Sequence, residues 1–192
     1  MKQSIFFLLI TLPSFQFVIG QERDSVIIPT NDKGFAEYTE VVTIDSTSKS
    51  DIYLNALEWM NKTYKSGKSV IQTTDKDGGM IIGKAITQAL TYNNMGAKVN
   101  AGYFSYNISI YCKDNKFKYM IDNILYNKGE MNLKSGADLS EKFPHNWTGI
   151  LLDNKQTRRE WLKFQIIADI ELKAIIDDLK KTLKSSRKRS EW

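Results

Sequence analysis

The stretch Tyr103-Phe-Ser-Tyr-Asn-Ile-Ser-Ile-Tyr-Cys-Lys-Asp-Asn-Lys-Phe-Lys-Tyr-Met-Ile121 decides the fold. From Tyr103 to Cys112 the side chains alternate. Phe104, Tyr106, Ile108, Ile110 and Cys112 share one face, and Tyr103, Ser105, Asn107, Ser109 and Tyr111 share the other. A period of two over ten residues is the mark of a strand with one buried face. Asp114-Asn115 supplies a tight turn, and Phe117, Tyr119 and Ile121 resume the apolar face on the way back, so the segment predicts a hairpin. Its second face carries Tyr103, Ser105, Asn107, Ser109, Tyr111, Lys118, Met120 and Asp122, a polar and aromatic set suited to water or to a partner.

Upstream, Val70–Thr74 reads as a short strand. Asp75-Lys-Asp-Gly-Gly79 reads as a hairpin turn, and Met80–Leu90 as the return strand, with Thr91–Gly102 looser. Before these, Phe35–Ile44 alternates through Tyr38, Val42 and Ile44 as a strand. Asp45–Ser50 has turn and helix-capping chemistry. Ile52, Tyr53, Ala56, Leu57, Met60 and Tyr64 then recur at helical spacing, with Gly67 as the expected stop.

Downstream, residues 127–157 form a long connection holding Gly129, Gly136, Pro144 and Gly149. Residues 158–184 read as a helix whose stripe runs through Trp161, Phe164, Ala168, Leu172, Ile175, Leu179 and Leu183. At 1.5 Å per residue this helix outruns strands of six to eight residues, so its second half is expected to project. Ile175, Leu179 and Leu183 then become a candidate contact patch. The order strand, helix, four strands, helix predicts an α+β domain with an antiparallel sheet and its helices on one face.

The start of the chain bears on address. Met1-Lys2 followed by the apolar run Ile5–Ile19 and the small Gly20 reads as a signal peptide of residues 1–20, cleaved before Gln21. Residues 21–33 read as a linker, 34–126 as the sheet domain and 185–192 as a basic tail. The expected location is exported, in the periplasm or on the outer envelope, with no spanning helix in the mature chain.

At 42% hydrophobic and 26% charged residues the chain is globular rather than disordered. Of the net charge of +5, Lys2 supplies one and residues 180–192 supply five, from Lys180, Lys181, Lys184, Arg187, Lys188 and Arg189 against Glu191. The stretch between sums to −1. The basic character therefore belongs to the carboxyl end. It suits an anionic membrane surface and argues against a nucleic-acid footprint on the domain.

Motifs for chemistry fail on spacing. Gly67-Lys68-Ser69 lacks the earlier glycine of a phosphate loop, since Lys62 stands there. Asp75-Lys-Asp-Gly-Gly has Ile86 where a calcium loop needs its twelfth-position Glu. His145 is the single histidine, which excludes two-histidine metal sites and strains a His-based triad. Cys112, the single cysteine, lies on the apolar face and makes no internal disulfide. Asp177-Asp178 reads as a solvated pair. No cofactor or metal is expected. The function expected is a non-enzymatic exported module that binds a protein or envelope component. The alternative is a small hydrolase using Ser or Asp residues near the long connection.

Five segments together carry a resemblance: Tyr38-Thr-Glu-Val-Val-Thr-Ile44, Leu57-Glu-Trp-Met60, Lys68-Ser-Val-Ile-Gln72, Gly79-Met-Ile-Ile-Gly-Lys84 and Ile108-Ser-Ile-Tyr-Cys-Lys-Asp114. Over residues 35–126 the chain resembles a bacterial family of exported domains of unknown function with a TATA-binding-protein-like fold. The resemblance implies a strand-helix-four-strand-helix domain and implies no catalytic residues. It also gives Asp24-Ser25-Val26 the look of an O-glycosylation signal used in such bacteria.

Overall fold

In the computed structural model, residues 28–64, 70–93, 95–129, 136–141 and 155–185 are described. The proposed signal peptide, Gly67, His145 and Arg187–Arg189 lie outside them. The elements are β1 Glu37–Thr43, α1 Lys49–Thr63, β2 Ile71–Asp75, β3 Met80–Tyr92, β4 Lys98–Lys113, β5 Lys116–Asn127, β6 Ala137–Asp138 and α2 Lys155–Ser185. The sheet runs β1-β5-β4-β3-β2, antiparallel throughout, with β6 beside β5 beyond the end of β1.

The hairpin read from alternation forms as expected. Ile108 faces Ile121, and Lys113 faces Lys116 across the turn. Asn115 takes φ 62°, a left-handed conformation that asparagine tolerates. That turn also positions α1. Asp114 Oδ1 accepts the Lys49 N–H at 2.7 Å, Asn115 accepts the Thr47 N–H at 3.1 Å, and Ser48 caps the helix by accepting from Asp51 N.

Both helices lie on the face carrying Phe104, Tyr106, Ile108 and Ile110. Met60 of α1 sits over Gly83, where a Cβ would come within 2.8 Å of Met60 Cε. Gly83, Ala85 and Ala89 keep the β3 floor low enough for helix packing. Trp59 is buried on α1, whereas Leu57 is only partly so, because α1 has a second neighbour in α2.

Four expectations change. The segment from Thr91 is not loose: β3 continues to Tyr92 and β4 begins at Lys98. Asn93 closes the short turn by accepting the Met95 and Ala97 N–H groups. Residues 28–33 are not a free linker, since Ile28 is buried and Thr30 bridges to Ala36. The long connection contains β6 and yields to α2 at Lys155.

The largest change concerns α2, which does not project. Leu179 and Leu183 are 0% and 1% exposed, and Ile175 packs against the core. The expected mismatch assumed short strands. β4 has 16 residues, spanning about 53 Å, and α2 has 31, spanning about 46 Å. The sheet is long enough to seat the whole helix. Contacts along its length confirm this. Trp161 Nε1 donates to Glu141 O at 2.8 Å, Phe164 stacks on Tyr126 at 4.2 Å between centroids, and Tyr38 donates to Asp169 at 2.8 Å. Near the carboxyl end Lys180 pairs with Glu40 and lies over the Tyr119 ring.

Candidate functional site

The helices leave the other face of the sheet without a described helix on it. Register places its residues in rows. Val41, Lys118, Tyr111 and Met80 form one, Thr39, Met120, Ser109 and Ile82 the next, and Glu37, Asp122, Asn107 and Lys84 a third. Further along, Leu125, Ser105 and Ile86 stand side by side, then Tyr103 with Gln88. A bulge at Asn123, φ 50°, lets β5 hold this alternation, so that Ile121, Ile124 and Tyr126 all face the core.

The face read from alternation is thus the observed one, with two corrections. Ser105 and Ser109 point outward yet are 2% and 5% exposed. Each is a short side chain between taller neighbours, Ile86 and Leu125 for one, Ile82 and Met120 for the other, at strand spacings near 4.8 Å. They form the floor rather than a contact surface. Leu179 and Leu183 leave the candidate set because they are buried in the domain, and Ile175 is largely withdrawn with them.

Tyr103, Asn107, Tyr111 and Lys118 remain accessible. Asn107 donates one amide N–H to Asp122 at 2.8 Å, which holds the side chain and leaves its second N–H and its carbonyl oxygen for a ligand. Reading the strands singly missed Val41, Met80, Ile82 and Ile86. The available signal was β3 itself, apolar at both Ile81 and Ile82, which marks a strand with two apolar faces. Val41 is 56% exposed on edge strand β1.

At the β4–β5 turn this face holds a groove of about 440 Å³. Its apolar floor is made by Val41, Tyr111 and Met120, with Phe117 bordering it while its side chain is buried in the core, and Lys113, Lys116 and Lys118 stand at its margin. Among the described residues no acidic side chain lines it. A second hollow lies between the helices beside Trp59, Asn55 and Asp178. There Asp178, on the exposed side of α2 as the sequence suggested, also accepts the Trp59 indole N–H at 2.8 Å and ties the two helices together.

The buried thiol and phenol groups of the core are held protonated. Cys112 is buried, and burial pushes its thiol up to about 12, which disfavours the thiolate. The Tyr64 and Tyr106 hydroxyls meet at 3.1 Å inside the core, both held protonated chiefly by burial. Among the described residues no group of three or more His, Cys, Asp or Glu side chains is placed to hold a metal ion. No described helix is long and apolar enough to cross a membrane.

Residues 38–127 match the family model described as a domain of unknown function (DUF4468) with TBP-like fold. The crystal structure of a DUF4468 family protein from Bacteroides ovatus is similar to this chain, with a TM-score of 0.63 at 16% identity, covering 84% of this chain and 93% of that one. A TBP-like protein from Parabacteroides distasonis is also similar, with a TM-score of 0.59 at 18% identity, covering 83% and 99%. At such identities the likeness is one of fold. No curated protein matches the chain. Over residues 38–127, then, the chain is similar to this family of domains.

Proposed function

We propose that this chain is an exported, non-enzymatic binding module whose working surface is the open face of its sheet. One observation carries the reading. Val41, Met80, Ile82, Ile86 and Met120 bring apolar surface to a face on which no described helix packs, with Tyr111 and three lysines beside them. Contiguous apolar surface rimmed by polar groups marks interaction sites. The amino-terminal run Ile5–Ile19 supports export to the periplasm or outer envelope. The partner is a protein or envelope component. Lys181 and Lys184 on the wet side of α2, with Arg187, Lys188 and Arg189 beyond it, add attraction to an anionic membrane surface. The near-neutral body gives no footprint for nucleic acid.

The test is capture from envelope extracts by the full mature chain and by the double variant Val41→Glu, Met120→Glu, with circular dichroism to confirm that both fold. Capture of a defined set of proteins that the double variant loses is the expected result. Capture unchanged in that variant but lost when Arg187, Lys188 and Arg189 are replaced would move the working surface to the basic end.

A further inference from the structure

Three exposed lysines stand together on the open face at the β4–β5 turn. Lys113 and Lys116 face each other directly across the turn, and Lys118 is the next residue of β5 on the same face. Other lysines are paired: Lys62 with Glu58, Lys173 with Asp169 and Lys180 with Glu40. The side chains of Lys113, Lys116 and Lys118 form no ion pair or hydrogen bond with a described residue. Like charges directly opposite each other repel across a sheet, so the cluster does not serve the strand pairing. Beyond it lies an apolar strip two rows long, about 13 Å, with Val41, Tyr111 and Met80 in the first row and Met120 and Ile82 in the second. The row after that holds Asn107, with an N–H and a carbonyl oxygen to spare, between Asp122 and Lys84. Along the strands the face therefore reads positive, apolar, amide.

We propose that this face holds an extended acidic segment of a partner protein, laid along β4 and β5. Its carboxylates meet Lys113, Lys116 and Lys118, an apolar side chain enters the groove over Val41, Tyr111 and Met120, and a backbone amide bonds Asn107. Six positions of β4 separate Lys113 from Asn107, about 20 Å, which an extended segment of about six residues spans. The guest lies on the face of the sheet and takes no ladder bond from an edge strand. Three lysines around an apolar floor with no described acid specify its charge. A polypeptide suits the strip better than a lipid does. Its amides can bond Asn107, whereas an acyl chain laid the same way runs into the carboxylates of Glu37 and Asp122. This inference rests on the open face being the working surface and names its ligand class.

The experiment is selection of a displayed random decapeptide library on the full mature chain. The expected outcome is enrichment of sequences that place Asp or Glu residues beside a large apolar one. A selected peptide should bind roughly tenfold more weakly to the triple variant Lys113→Gln, Lys116→Gln, Lys118→Gln, with melting unchanged, and should keep its affinity when the same three become Arg. Asn107→Ala should weaken it several-fold. Selection of neutral or basic peptides, or binding untouched by the Gln variant, overturns the acidic guest while leaving the face a binding surface. Displacement of the selected peptide by phosphatidylglycerol vesicles reassigns the groove to lipid and overturns the proposal. A dimer in sedimentation that Val41→Glu, Met120→Glu dissolves reassigns it to a second copy, with the same consequence. A library that yields no peptide also overturns it: the open face survives as the working surface if envelope capture is lost in the Val41→Glu, Met120→Glu variant, and falls too if capture is intact.

Discussion

The indole N–H of Trp59 on α1 is hydrogen-bonded to the Asp178 carboxylate on α2 at 2.8 Å, across 119 positions of sequence. The bond sits at the start of the last two turns of α2, where Leu179 and Leu183 are almost wholly buried and Lys180 reaches Glu40 on β1. The carboxyl-terminal turns are therefore part of the domain's core and not an appendage.

Leu179→Ala is accordingly expected to cost about 2–5 kcal/mol, the range for a buried large-to-small change. Trp59→Phe, which removes the donor to a carboxylate, should cost about 1.5–3 kcal/mol. Urea unfolding checks both. Truncation after Asp178 should lower the melting temperature clearly, and an unchanged midpoint would show that these turns do not hold the fold.

Ser105 supplies an opposite case. Its hydroxyl is buried with no hydrogen-bond partner among the described residues. Ser105→Ala should be neutral or stabilising by up to about 1 kcal/mol, because an unpaired buried polar group is itself a cost. Ile108→Ala, three positions along β4 and on the core face, should cost about 2–5 kcal/mol. Parallel urea curves for the two variants separate the faces, and similar losses would contradict the assignment.

How far the sequence carried this picture depends on which signal each element offers. The β4–β5 hairpin was legible because both strands alternate strongly around Asp114-Asn115. β3 was legible in direction but not in length or in its outer face, because Gly83, Ala85 and Ala89 dilute the inner face while Ile82 and Ile86 make the outer one apolar. The bulges near Leu90 and Asn123 are set by cross-strand pairing, which no single strand displays. The fate of Leu179 and Leu183 depended on strand length, and ending β3 at Leu90 and starting β4 at Tyr103 shortened the platform on which α2 lies.

Alkaline pH should unfold the protein through its buried acids. Burial raises Cys112 from 9.0 to about 12 and Tyr64 from 10.0 to about 12. It also raises Tyr106, and Tyr38, where the Asp169 carboxylate adds to the effect. Each group holds its proton more tightly folded than unfolded. The stabilisation is therefore complete below the unfolded values of 9.0 and 10.0 and is lost as pH climbs through the folded ones. Melting temperature should fall from about pH 9 upward. Cys112→Val should delay the onset toward the tyrosine range, and an onset that does not move would remove the thiol from this explanation.

Export has a direct readout. Intact mass of the protein recovered from the envelope of an expressing bacterium should correspond to a chain beginning at Gln21. A chain still beginning at Met1 would contradict cleavage.

The most direct test of the open face as the working surface is site-specific photo-cross-linking in envelope extracts. A benzophenone amino acid is placed at Val41, at Lys118, and at Ala174 on the exposed side of α2. Discrete high-mass adducts from Val41 and Lys118, with none from Ala174, are the expected result. Adducts from Ala174 alone would place the partner on the helical layer and contradict the assignment.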